Sequence, residues 1–226
     1  KYKKNKNINA LVTAPIHKAA IQSEDFRFPG HTDYLAQIFN GDALMFLVHP
    51  DLKVALVTDH LAVKDIARHI TPDRVAQKLK AVAHSLQQDF GISNPRIAVL
   101  GLNPHAGDEG IIGEEEVNLL EPLLQTHQID KTEISGPFSA DAFFGSQSYK
   151  NYDGILAMYH DQGLIPFKTL SFGEGVNFTA GLSAVRTSPD HGTAFGIAGT
   201  VQASPQSFRQ AVRTAMEIVK RRNVSF

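Results

Sequence analysis

The chain has no cysteine. Disulfides and thiolate-bound zinc are therefore excluded, and any metal must be held by His, Asp or Glu. No apolar run approaches the ~20 residues of a membrane span, and no apolar leader opens the chain. A cytoplasmic protein with no membrane partner is expected. Net charge is also lacking: 22 Lys and Arg against 23 Asp and Glu leave a formal charge of −1. That balance gives no general attraction to nucleic acid, so the expected partner is a small molecule or another protein. Neither G-x-G-x-x-G after a strand nor G-x-x-x-x-G-K-[ST] occurs, which removes the two commonest phosphate-cradling loops. No internal repeat and no low-complexity linker divides the chain.

What is present is a globular composition. The 226 residues are 42% hydrophobic and 20% charged, enough for one large domain or two lobes sharing a sheet. Apolar runs at Ile8–Val12, Leu44–Val48, Val54–Val57, Ile97–Leu102 and Gly154–Tyr159 predict strands, with weaker ones at Asn177–Thr179 and Ala184–Thr187. Phe28-Pro29-Gly30-His31-Thr32-Asp33 reads as a turn opening a helix. A second helix has Thr71 as N-cap and Pro72 at its first position, buries Val75, Leu79, Val82, Leu86 and Phe90, and stops at Gly91. A third, Glu114–Gln125, turns Val117, Leu120 and Leu124 inward. The last starts at Ser204-Pro205 and turns Phe208, Ala211, Val212, Ala215, Ile218 and Val219 inward. Strands alternating with helices predict a doubly wound, mostly parallel α/β sheet, with ligands beyond the carboxyl ends of the strands.

Three strands end alike. Val54–Val57 leads through Thr58-Asp59 to His60, Ile97–Leu102 through Asn103-Pro104 to His105, and Gly154–Tyr159 straight to His160, with the last read as entering a loop. Three neutral imidazoles hold a divalent metal and leave its charge unneutralised, which suits Lewis-acid chemistry on a hydroxyl or ketone. The same residues also read as ordinary loop histidines. Lys168 and Arg186 sit in a glycine-rich stretch, and read either as an anion clamp or as two surface cations. Pro189-Asp190-His191-Gly192-Thr193-Ala194 is either a close-approach turn for a ligand or a plain loop. Asp161, next to His160, suits a proton-transfer role or support of a ligand. Asp141 is equally a helix cap.

The blocks LVTAPIHKAAI, PGHTD, VALVTDHLAVKDIA, LGLNPHAGDEG, SADAFF, LAMYHDQGL, FGEGVNFT and RTSPDHGTAFGIAG follow one another along nearly the whole chain. In them the chain resembles the 4-hydroxythreonine-4-phosphate dehydrogenase (PdxA) family. The resemblance implies an isocitrate/isopropylmalate dehydrogenase-like two-lobed fold whose first lobe is incomplete, since the family's N-terminal segment is not in these residues. Residues 1–226 are then one α/β unit, mainly the metal- and substrate-binding lobe, with 200–226 a helix returning to the first lobe.

The resemblance further implies NAD(P)-dependent oxidation and decarboxylation of 4-phosphooxy-L-threonine. The product is 3-amino-2-oxopropyl phosphate, on the route to pyridoxal phosphate. His60, His105 and His160 match the family's ligands for one divalent metal ion (Zn, Mg or Co). His31, Thr32, Lys168, Asn177 and Arg186 match its substrate positions, and Asp161, Lys168 and Asp141 its catalytic ones. His191, Gly192, Thr193 and Ala194 match a loop holding the adenine end of NAD or NADP. A homodimer is implied, with the metal site shared between chains. Asp59 stands where the family usually has Thr, and Glu174 where it usually has Arg. Related substrates (4-phospho-D-threonate or erythronate, or a dihydrodiol), a non-redox metal enzyme and an inactive fragment are the alternatives.

Overall fold

The structure, a computed structural model, describes residues 8–24, 27–28, 31–39, 41–200 and 204–224; the side chains at 18, 19, 31–33, 223 and 224 lie outside that description. In chain order its elements are β1 (Ala10–Val12), α1 (Lys18–Ile21), α2 (His31–Phe39), β2 (Leu44–His49), β3 (Leu52–Leu56) and α3 (Ile66–His69). Then come α4 (Pro72–Gln88), β4 (Arg96–Leu100), α5 (Glu121–Thr126), β5 (Glu133–Phe138) and α6 (Ala140–Gly145). The last are β6 (Gly154–Ala157), α7 (His160–Ser171), β7 (Val176–Ala180), β8 (Val185–Pro189) and α8 (Gln206–Val224). They form two compact units, residues 50–170 and residues 1–49 with 171–226. Alternation of strand and helix gives the mostly parallel α/β class expected, with antiparallel pairing where β7 meets β2 and β8.

In the unit of residues 50–170 the strand order is β3-β6-β4-β5, every pair parallel. Val54, Ala55 and Leu56, Ile97 to Leu100, and Ile155, Leu156 and Ala157 are all buried. Continuous burial is why these strands read as unbroken apolar runs rather than as alternating ones. Each fully buried Leu, Ile or Val there contributes ~1.5–3 kcal/mol. Helix α4 packs on β6 and β3 through Val75, Leu79, Val82 and Leu86. Its start is as expected: the Thr71 hydroxyl accepts from the Arg74 N–H at 3.3 Å, and Pro72 follows.

In the other unit the order is β1-β8-β7-β2; β1 and β8 run parallel, while β7 is antiparallel to both β8 and β2. Helix α8 lies on β8 and β1. Its buried stripe is Ser207, Ala211, Ala215 and Ile218. The small residues bring it close enough for the Thr187 hydroxyl to donate to the Ala211 carbonyl at 2.8 Å.

Four local expectations are corrected. Phe208 lies beside the stripe of α8 and is 42% exposed, not inward. Val117 is 40% exposed, because Glu116–Leu120 is a π-turn preceding α5. A π-turn holds an extra residue per turn, so the inward position rotates from Val117 to Glu116. The strand at 154–159 ends at Ala157, and His160 begins a helix rather than a loop. Lys168 therefore lies in the last turn of α7, not on a loop with His160.

Candidate active site

Parallel strands all deliver their carboxyl ends to one edge of a sheet. Here that edge receives His60 after β3, His105 after β4, Ser139 and Asp141 after β5, and His160 after β6. Two sets of bonds hold the strand ends together. The Thr58 hydroxyl and N–H both donate to the Met158 carbonyl, at 2.7 and 3.1 Å, tying β3 to β6. The Gln162 amide accepts from the Met158 N–H at 2.7 Å and donates to the Gly101 carbonyl at 2.6 Å, tying β6 to β4. Gly163, one residue on, has no room for a side chain. A Cβ there would stand 2.7 Å from Leu56 and 2.9 Å from Val54, so α7 lies directly on β3.

This bracing makes His60 and His160 neighbours, their ring centroids 5.9 Å apart. With its proton on Nδ1, His160 donates to Asp161 at 2.7 Å and keeps Nε2 as a lone pair. Asp59 stands in the same relation to His60: it accepts from the His60 N–H at 2.8 Å, and its other oxygen is 3.8 Å from Nδ1. Two imidazoles, each with a carboxylate beside Nδ1, are a donor pair suited to a divalent cation. They line a cleft of about 250 Å³ with Thr58, Asp59, Tyr159 and Asp161. Tyr159 and Asp161 also line a larger groove of about 440 Å³, which reaches Asp141, Phe144 and Ile165.

His105 stands on a different kind of support. His105, Ala106, Gly107, Asp108 and Glu109 all have positive φ, at 53°, 50°, 80°, 45° and 54°. Each non-glycine residue in that region costs ~1–2 kcal/mol, so the four of them cost ~4–8 kcal/mol. A turn of this kind persists only where its surroundings over-determine it. His105 is exposed and lies near Asp141. Asp141 is in the first turn of α6 and is held below its ordinary carboxylate value. The hydrogen bond from the Ser139 hydroxyl, at 2.5 Å, is the main cause. The Ala142 N–H and, to a lesser degree, His105 add to it, against an opposing effect of desolvation. Among the described residues no group of three or more His, Asp or Glu side chains is gathered to hold a metal ion, so His105 does not join the His60–His160 pair within one chain.

The other expected residues belong to the unit with β7 and β8, apart from Lys168, which is exposed on α7. Arg186 is buried on β8; it donates to the Thr13 hydroxyl through Nε and Nη2 (3.2 and 2.8 Å) and to the Thr179 hydroxyl through Nη1 (3.1 Å). Burial lowers its pKa to about 10. Asn177 pairs with Ser188 across the β7–β8 ladder, two residues from Thr179 and Arg186, so all four share one face. Among the described residues the shielded Asn177 Oδ1 has no hydrogen-bond partner. His31 and Thr32 open α2, and their side chains lie outside the described part of the structure. His191 to Ala194 lie in a largely exposed loop after β8, where among the described residues nothing lies within 4 Å of a Cβ on Gly192.

The family model described as pyridoxal phosphate biosynthetic protein PdxA matches residues 1–215. The chain belongs to the PdxA family. It is 52% identical over 217 residues to the 4-hydroxythreonine-4-phosphate dehydrogenase of Bacteroides thetaiotaomicron, covering 95% of this chain and 60% of that protein. The crystal structure of the Klebsiella pneumoniae 4-hydroxythreonine-4-phosphate dehydrogenase superposes with a TM-score of 0.84 at 36% identity, over 96% of this chain and 66% of that one. A terephthalate 1,2-cis-dihydrodiol dehydrogenase from Burkholderia xenovorans superposes with a TM-score of 0.71 at 26% identity, over 96% and 69%. The chain thus spans 60–65% of the length of the first PdxA-family relatives it matches. The fold is the isocitrate/isopropylmalate dehydrogenase-like fold of these neighbours.

Sequence reading missed Thr58, Gln162 and Glu116. The first two lie inside recognised blocks, but which backbone groups they bond depends on strand order. Glu116 lies in the acidic run Glu114-Glu115-Glu116 at the start of the helix expected over Glu114–Gln125. It is 0% exposed.

Proposed function

We propose that the protein carrying this chain is a cytoplasmic, NAD(P)-dependent and divalent-metal-dependent dehydrogenase. It oxidises and decarboxylates 4-phosphooxy-L-threonine to 3-amino-2-oxopropyl phosphate, on the route to pyridoxal phosphate. Family membership supports the reaction. The observation that carries the site is the His60–His160 pair, 5.9 Å apart at the carboxyl ends of β3 and β6.

His60, His105 and His160 hold one ion of Zn, Mg or Co, Asp161 keeping the His160 proton on Nδ1. When bound, the cation supplies positive charge for an oxygen anion developing on the substrate, and the nicotinamide supplies the hydride acceptor. Asn177, Arg186, His31 and Thr32 hold the substrate, with Asn177 Oδ1 as an acceptor. Lys168 contacts its anionic end and, with Asp161, moves protons. Asp141, held ionised beside His105, orients the cationic end of the substrate or the His105 ring. His191, Gly192, Thr193 and Ala194 hold the adenine end of NAD or NADP. His105 stands apart from the other two histidines, which supports a homodimer in which each site draws on both chains.

The test is turnover of 4-phosphooxy-L-threonine with NAD or NADP by the full-length protein, followed by nicotinamide reduction and release of carbon dioxide. His160→Ala is expected to abolish both activity and metal binding. Full metal content in that variant would remove the central claim. A second reading, a dihydrodiol or four-carbon phospho-sugar-acid dehydrogenase, is favoured by the likeness to the terephthalate dihydrodiol dehydrogenase and by Glu174. Glu174 puts a carboxylate where the family usually has Arg, and that carboxylate accepts from Gln210 of α8 at 3.4 Å. A substrate panel separates the two readings.

A further inference from the structure

The turn carrying His105 has to be held in its left-handed conformation by something, and the structure shows one group closed around by it. Glu116 is wholly buried. One of its oxygens accepts from the Leu102 N–H at 2.6 Å and the Asn103 N–H at 2.8 Å. The other accepts from the Asn103 side-chain amide at 2.9 Å. That amide also donates to Glu115 at 2.7 Å, so Asn103 is gripped by both carboxylates. The far side of the turn meets Glu116 as well. A Cβ on Gly107 would lie 2.6 Å from the second Glu116 oxygen and 2.7 Å from the Gly113 carbonyl. The chain then closes on itself, with the Ile112 N–H donating to the Gly107 carbonyl at 3.1 Å. Hence the residues two and three places before His105, and the glycine two places after it, all rest on one carboxylate. The π-turn at Glu116–Leu120 is what turns this side chain inward, and π-turns recur at functional sites.

We propose that Glu116 is the positioning residue for His105: it bonds the chain entering the left-handed turn and packs against Gly107 at its middle, and so fixes where the imidazole points. The proposal rests on the reading of His105 as a metal ligand, and it separates from a purely structural role in one respect. A clamp acting through His105 has no effect once His105 is gone.

The experiment uses the full-length protein with Co²⁺ as the probe, read by its visible absorption and its dissociation constant. The variants are Glu116→Gln, His105→Ala and the double variant. Glu116→Gln keeps the shape but replaces one acceptor by a donor facing the Asn103 amide. It is expected to weaken Co²⁺ binding by roughly 10–100-fold, as loss of a ligand's supporting partner does, and to alter the absorption bands. The double variant is expected to bind no more weakly than His105→Ala alone. Unchanged binding in Glu116→Gln, or losses that multiply in the double variant, overturns the proposal. If the unmodified protein binds no Co²⁺, the metal reading fails instead, and amide exchange still decides on the clamp. Glu116→Gln should then speed exchange at the Leu102 and Asn103 amides selectively, and unchanged exchange there overturns the proposal. Should Glu116→Gln fail to fold, Asn103→Ala removes one tether and is expected to give a smaller change of the same kind; its absence has the same consequence.

Discussion

Replacing Gln162 by leucine should loosen the edge on which the histidines stand. The Gln162 amide is a two-ended bridge, taking the Met158 N–H at 2.7 Å and giving to the Gly101 carbonyl at 2.6 Å. Met158 and Gly101 are both buried, so neither group finds water when the amide is removed. Each buried group left unpaired costs ~1–3 kcal/mol, and Gln162→Leu leaves two, for a total of ~2–6 kcal/mol. Gln162→Glu keeps the acceptor for Met158 but sets an oxygen against the Gly101 carbonyl, so it should lose the second bond alone, ~1–3 kcal/mol. In a chain of this size that corresponds to roughly 2–4 °C of Tm per kcal/mol. Thermal unfolding gives the totals, and amide exchange at Met158 assigns them. The Met158 amide should stay protected in Gln162→Glu and lose protection in Gln162→Leu. A leucine variant with unchanged Tm and an unchanged Met158 exchange rate would refute the bridge between β6 and β4.

Gly163→Ala should destabilise by ~1–3 kcal/mol, the usual effect of overpacking, because its methyl meets Leu56 at 2.7 Å and Val54 at 2.9 Å; denaturant unfolding measures it, and wild-type stability would mean that both side chains move aside freely. Ser139→Ala removes the main cause of the lowered Asp141 value, so the Asp141 carboxyl should titrate closer to its ordinary range, as followed by NMR of its side-chain carbon. Because the folded value lies below the unfolded one, the contribution of Asp141 to stability is complete above the ordinary carboxylate range and is lost as pH falls through the lowered value; in Ser139→Ala that window narrows. Arg186→Met should separate stability from binding. A value lowered to about 10 by burial places ~3 kcal/mol against the charged form, so the variant is expected to unfold no earlier than the parent while losing affinity for an anionic ligand; a large fall in Tm would show that the bonds to Thr13 and Thr179 outweigh desolvation.

What could be read from the sequence was whatever local chemistry decides. Thr71-Pro72 caps α4 by a contact three residues long, and the strands before His60 and His105 are recognisable because burial on both faces demands an unbroken apolar run. Reading failed where a distant contact overrides local preference. Gly163 and Pro166 both disfavour a helix, and the chain at His160 reads as entering a loop; yet α7 forms, and the glycine is what lets it lie against Leu56 and Val54. The acidic run at 114–116 reads only as the start of a helix, yet its third member is wholly buried against the turn it supports. The same rule accounts for His105. In Pro104-His105-Ala106-Gly107-Asp108-Glu109 only Gly107 and Asp108 suit a left-handed backbone, so the conformation of His105, Ala106 and Glu109 must be imposed from outside, and the imposing group lies eleven residues from His105. The three strand-end histidines thus look alike in sequence and differ in kind. His60 and His160 are placed by strand pairing and steadied by the carboxylates beside them, whereas His105 is placed by a strained turn held shut over Glu116. A substitution that loosens unit packing should move the first two together, and only one that opens the turn should move the third.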